Sequence, residues 1–148
     1  MNIYDFYTGM SFQAYEWLGE HIEENGVVFR TYAPNAKRVV LLWNSQSIEM
    51  NRVLDGNFYE IYVENAKYGE CYEYRIYGQN GKCIDHCDPY GFGMQMRPEH
   101  KSVIRNLYDY KFHDEIWMNN RSDCKDKPLN IYLKKAEFRL FPTVAFPD

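Results

Sequence analysis

The amino-acid sequence predicts an antiparallel β-sandwich, on three observations. Runs of β-branched and aromatic residues with period-two alternation recur between residues 26 and 104. Turn-forming Gly, Pro and Asn residues separate them at intervals of roughly 8–12 residues. No amphipathic helix long enough to cover a parallel sheet lies between them. The 148 residues suit one domain with an appendage. We divide them into a lead (1–22), a sandwich (23–106) and an extension (107–148) whose character changes again from about residue 133.

In the lead, SFQAYEWLG predicts a short helix, with Ser11 as its cap and Gly19 as its stop. Phe12, Tyr15, Trp17 and Leu18 give it an apolar side. GVVFRTYAP is a strand stopped by Pro34 and Asn35, and RVVLLW (38–43) has the near-continuous apolar character of a central strand. FYEIYV (58–63) alternates, so Tyr59, Ile61 and Val63 share one face and Glu60 and Tyr62 the other. CYEYRIY (71–77) turns Tyr72, Tyr74 and Ile76 inward and Glu73, Arg75 and Tyr77 outward. The Asn80-Gly81 pair predicts a primed hairpin turn, with its return strand over Lys82 to Asp85. A last strand surrounds Ser102, Val103 and Ile104. That makes six or seven strands, without the Cys…Trp…Cys spacing of antibody domains.

Bulk properties narrow the function. The formal net charge is -4 and no basic run occurs, which argues against nucleic acid or an anionic membrane as partner. No stretch has the apolar length of a membrane span. The N-terminus lacks the charged and apolar regions of a secretory signal, so a cytoplasmic location with reduced thiols is expected. The 14 Tyr, 9 Phe and 3 Trp suit half-buried strands and sugar-facing surfaces equally well.

CIDHCDPYGF (83–92) resembles a metal-binding cluster. Cys83, His86 and Cys87 would need Cys71, His100 or Cys124 as a fourth ligand. The spacing is not that of a zinc knuckle, there is no second knuckle, and Cys83 and His86 fall on opposite faces of a strand. Ordinary thiols are therefore preferred to a small zinc protein, and no metal is expected. The acidic residues read as solvated surface, and the clusters Asp85/Asp88 and Asp114/Glu115 imply no pocket. No nucleophile elbow, phosphate-binding loop or dinucleotide fingerprint is present, so neither a catalytic residue nor a cofactor is expected.

Several stretches, taken in order, resemble the N-terminal region of 1,4-α-glucan (glycogen) branching enzymes. They are YDFYTGMSFQAYEWLGEH, GVVFRTYAPNAKRVVLLW, GNFYEIYV, YEYRI, DPYGFGMQMRP, the Trp117-Met118 segment and KPLNIY. The resemblance covers roughly residues 4–132. It implies an immunoglobulin-like sandwich of carbohydrate-binding family 48, the non-catalytic N-terminal domain of a glycoside hydrolase family 13 enzyme. The parent reaction would be retaining transglycosylation on α-glucan. The acidic catalytic residues of that class lie in a (β/α)8 barrel, and no motif of this chain matches theirs. The sequence is expected to be a truncated piece of such an enzyme.

The resemblance further implies site residues. Trp43, Asn44 and Arg75 are its candidates for weak contact with α-glucan, and Tyr77 joins them as an outward-facing aromatic ring of the kind that stacks on sugars. The family's G-D-F-N-x-W loop is replaced by LLWNSQSIEMNRV, so Trp43 and Asn44 are loose substitutes. Asp88, Pro89, Tyr90, Arg97, Pro98 and Trp117 are expected to pack against the barrel. Left uncovered, that face would favour self-association. A free-standing glucan-binding module is the alternative reading.

Overall fold

A computed structural model describes residues 2–109 and 111–120. The chain divides into two units, residues 1–111 and 112–148. The first carries nine strands among the described residues, and the second is described by one short helix.

The lead holds a five-residue helix, α1 (Ile3–Tyr7), whose N-terminus is capped by the Asn2 side chain accepting from the Tyr4 N–H. It is anchored by Phe6, whose ring meets Tyr32 and Phe58 edge-on at 5.1 and 5.3 Å. The helix predicted between Ser11 and Gly19 is only a three-residue 3₁₀ turn at Ala14–Glu16, and Gln13, not Ser11, precedes it. Gly19 does not close a helix. It opens strand β1 (Gly19–Glu23), which pairs along its whole length with β2 (Gly26–Tyr32). Its φ of +94° is open to glycine, and an added Cβ would sit 2.6 Å from the Tyr90 carbonyl oxygen. Backbone pairing thus overrides the helical pattern, and the sheet reaches back upstream of residue 23.

The remaining strands are β3 (Ala36–Trp43), β4 (Gln46–Glu49), β5 (Asn51–Val53), β6 (Phe58–Glu64), β7 (Cys71–Gly78), β8 (Cys83–His86) and β9 (Ser102–Val103). One sheet runs β1-β2-β6-β5 and the other β4-β3-β7-β8, with β9 also paired to β7. All described pairings are antiparallel. Inward residues of both sheets form one core: Val27 and Phe29 from β2, Tyr59 and Val63 from β6, Val39 and Leu41 from β3, Tyr72 and Tyr74 from β7. The faces predicted for β6 and β7 are the faces observed.

Two turns exchange roles. Asn80 keeps a negative φ and only Gly81 is left-handed (+77°), with a Gly81 N–H to Gly78 carbonyl bond. The loop is the three-residue kind ending in a left-handed glycine, which shifts the return strand to Cys83–His86. The primed turn occurs instead at Asn44-Ser45 (φ +47° and +61°), joining β3 to β4.

Candidate functional site

At one end of the β4-β3-β7 surface the chain encloses an open cleft of ≈ 610 Å³. Strand alternation carries Arg75 and Glu73 to the outer face of β7, while the tight Asn44-Ser45 turn closes one side of the cleft. Lys101 and Glu70 complete it.

Its charges are paired. The Arg75 guanidinium grips Asp85 on β8 with two bonds of 2.7 Å, Nε to Oδ1 and Nη2 to Oδ2. That grip holds the Asp85 carboxyl below its ordinary range and raises Arg75 above its own. Lys101 Nζ lies 3.1 Å from Glu73 Oε1. Trp43 Nε1–H donates to Glu70 Oε2 at 2.9 Å, and the same oxygen accepts the Lys67 N–H at 3.0 Å. The surface presents fixed planar donors and acceptors, the equipment for recognising hydroxyl groups.

Of the four residues expected to meet glucan, Trp43, Asn44 and Arg75 line this cleft and Tyr77 does not. Trp43 is 8% exposed and belongs to the core, so its ring is no open platform for a sugar. Tyr77 lies elsewhere on the outer face, with the Arg38 guanidinium 4.0 Å over its ring. Glu70 and Lys101, which sequence reasoning did not single out, sit in loops outside the alternating strands. Their positions carry no periodic signal.

The residues expected to meet a barrel divide as well. Pro89, Arg97 and Pro98 are exposed and Tyr90 is half-buried. Trp117, in α2 (Glu115–Asn120) of the second unit, is 61% exposed. Asp88 turns inward and is 5% exposed, so it supports this segment from beneath instead of forming its surface. Its Oδ2 receives the hydroxyls of Tyr72 (2.8 Å) and Tyr74 (3.0 Å), and its Oδ1 receives the Tyr90 N–H (2.9 Å). Glu20, wholly buried on β1, accepts from the Phe92 and Arg105 N–H groups and lies 2.7 Å from the Tyr72 hydroxyl. Burial raises both carboxyls, Asp88 to about 6.

Cys71, Cys83 and Cys87 are free thiols. Among the described residues no three His, Cys, Asp or Glu side chains gather as metal ligands. Cys124 lies outside the described residues. No helix among the described residues is long and apolar enough to cross a membrane.

The family model of carbohydrate-binding module 48 (isoamylase N-terminal domain) matches residues 17–91, about half of the chain. The chain belongs to the carbohydrate-binding module 48 family. Its immunoglobulin-like sandwich is the one observed here, with the cleft on one sheet. Over 138 residues this family member is 31% identical to the 1,4-alpha-glucan branching enzyme GlgB of Fusobacterium nucleatum subsp. nucleatum, in a match covering 89% of this chain and 23% of that protein. It is also 31% identical to the GlgB of Synechococcus sp. (strain CC9605), covering 86% of this chain and 18% of that one. The chain thus spans about a fifth of the length of these relatives. Among solved structures, a pullulanase from Bacillus acidopullulyticus matches with 26% identity and a TM-score of 0.54, over 62% of this chain and 12% of its own. A putative alpha amylase from Salmonella typhimurium shares the fold, with a TM-score of 0.56 at 20% identity, over 68% of this chain and 17% of its own.

Proposed function

We propose that this chain is the non-catalytic N-terminal module of a glycogen (1,4-α-glucan) branching enzyme, and that it helps position α-glucan. The observation that carries this reading is the 31% identity to GlgB proteins across 138 residues, nearly the whole chain. The parent activity would be cleavage of an α-1,4 link and re-formation as an α-1,6 branch, by retaining transglycosylation on a separate catalytic barrel in the cytoplasm.

Within this reading, Arg75 is the glucan-facing residue of the cleft. Its planar fork, already held by Asp85, is pre-organised to donate to sugar hydroxyls without a further ordering cost. The exposed Pro89, Arg97 and Pro98 face the rest of the enzyme, with Asp88 fixing the turn behind them.

Affinity electrophoresis through a gel containing soluble glycogen tests the reading. The chain is expected to be retarded weakly, with a dissociation constant on the order of 1 mM in glucose chains. Arg75→Ala should lose the retardation while keeping its unfolding midpoint. No retardation of the native chain overturns the glucan-positioning role. The same chain should form no branches in an iodine-staining assay, and branching by the chain alone overturns the non-catalytic assignment.

A further inference from the structure

The Glu20–Tyr72–Asp88 cluster contains more close oxygen contacts than the one hydrogen of each of its two phenols, Tyr72 and Tyr74, can satisfy. Tyr72 Oη is 2.7 Å from Glu20 Oε2 and 2.8 Å from Asp88 Oδ2. A phenol carries one hydrogen, so it donates to one carboxylate at a time. The Tyr74 hydroxyl is already directed at Asp88 Oδ2, and the neighbouring backbone N–H groups serve Glu20 and Asp88 Oδ1. With both carboxyls ionised, one of the two short contacts would set lone pair against lone pair inside the protein.

No cation among the described residues relieves this. Among the described residues neither Glu20 nor Asp88 has an ion-pair partner. The charged and titratable groups of the surrounding described elements are engaged elsewhere. The Arg105 guanidinium bonds the Tyr68 hydroxyl at 2.7 Å. His21 is bonded through Nε2 to the Leu18 carbonyl and set edge-on to Phe92. Lys101 pairs with Glu73, and Arg30 with Glu60. The Tyr90 side chain is half-buried, and only its backbone N–H reaches Asp88.

We propose that Glu20 is protonated in the folded domain, and that Glu20, Tyr72 and Asp88 form a proton-held clasp fixing the Asp88–Phe92 turn and the Arg105 backbone to β1. The Glu20 Oε2–H then donates to Tyr72 Oη, and the Tyr72 hydroxyl donates to Asp88 Oδ2. Asp88 keeps its charge because three donors converge on it: two phenols and the Tyr90 N–H. Glu20 receives only the longer N–H bonds of 3.1–3.3 Å besides this contact. Burial raises both carboxyls, which favours retention of the proton.

The sign of the effect follows. A carboxyl with a raised folded-state value stabilises the fold fully below its unfolded value, and that stability is lost as pH rises through the folded value. Asp88, which burial pushes up to about 6, holds its charge above that pH and adds to the same trend below it. The unfolding constant should therefore rise with pH, by up to about tenfold per unit for one proton.

Urea unfolding of the full chain, measured between about pH 5 and about pH 9, tests this. The native chain should lose stability as pH rises. Glu20→Gln, which carries a permanent donor in place of the acid, should keep its stability at high pH and lose the slope above about pH 6. An unchanged slope in that variant, or equal destabilisation at every pH, overturns the proposal. Infrared spectroscopy reads the same proton without a folding measurement. At neutral pH the native chain should show a carboxylic-acid carbonyl band that is absent from Glu20→Gln and retained in Asp88→Asn. The band's absence from the native chain, or its loss in Asp88→Asn alone, overturns the assignment to Glu20.

Discussion

Trp43 and Arg75 stand on neighbouring strands, yet alternation sends them to opposite sides of the sheet. Trp43 is on the core side, where its indole N–H is satisfied by Glu70. Trp43→Phe keeps most of the packing and removes that bond, so we expect a loss of about 1 kcal/mol in chemical denaturation. Leu41, two residues earlier and fully buried, is expected to cost about 2–5 kcal/mol when truncated to Ala, because the surrounding core refills the cavity only in part. Arg75 points outward, and the period of CYEYRIY makes that direction legible. What the sequence does not show is that Arg75 is gripped by Asp85, because that pairing depends on the β7–β8 register. Arg75→Lys is expected to weaken glycogen retardation nearly as much as Arg75→Ala, since an ammonium cannot reproduce the two-pronged contact.

At the scale of the elements, the turns carry the clearest disagreements between sequence and structure. Asn80-Gly81 is a strong primed-turn signal, but the backbone there closes one residue later and leaves only Gly81 left-handed. Asn44-Ser45 is a weak signal, and it forms the primed turn because β3 and β4 pair directly from Trp43 and Gln46. Ser45 holds a left-handed φ of +61° that costs an L-residue energy. Ser45→Gly should therefore raise stability, by about 0.5–1 kcal/mol after the entropy of the added glycine is counted, seen as a higher thermal midpoint. Gly19 is the opposite case. Gly19→Ala combines a φ of +94° with a 2.6 Å approach to Tyr90, so a loss of more than about 1 kcal/mol is expected. The short strands β1, β4 and β5 escape the sequence reading because they are polar or only three to five residues long. Their pairing is supplied by the stronger strands beside them.

At the scale of the molecule, the two sheets bury one shared core and leave some large apolar side chains exposed. Met96 is 81% exposed and Met94 59%. Both lie in the stretch expected to meet the rest of a longer enzyme. Concentration-dependent association in light scattering is therefore expected of the isolated chain, and it should diminish in the double variant Met94→Ser, Met96→Ser. A strictly monomeric species at high concentration would sink that expectation.

The sequence by itself determined the period-two faces of β6 and β7, and with them the sandwich class and the aromatic core. Those follow from local alternation, which any single strand displays. Its ordered motifs also pointed to the right family. Only the tertiary structure decided that Trp43 is a core residue and that the cleft gathers loop residues Glu70 and Lys101. It also turned Asp88 away from the surface to share the Tyr72 hydroxyl with Glu20. The Glu20–Tyr72 contact spans 52 positions and the Glu20–Arg105 contact 85. Packing one sheet against the other brings β1 against β7 and the segment after β9, although their strands do not pair, and no local pattern encodes such a meeting.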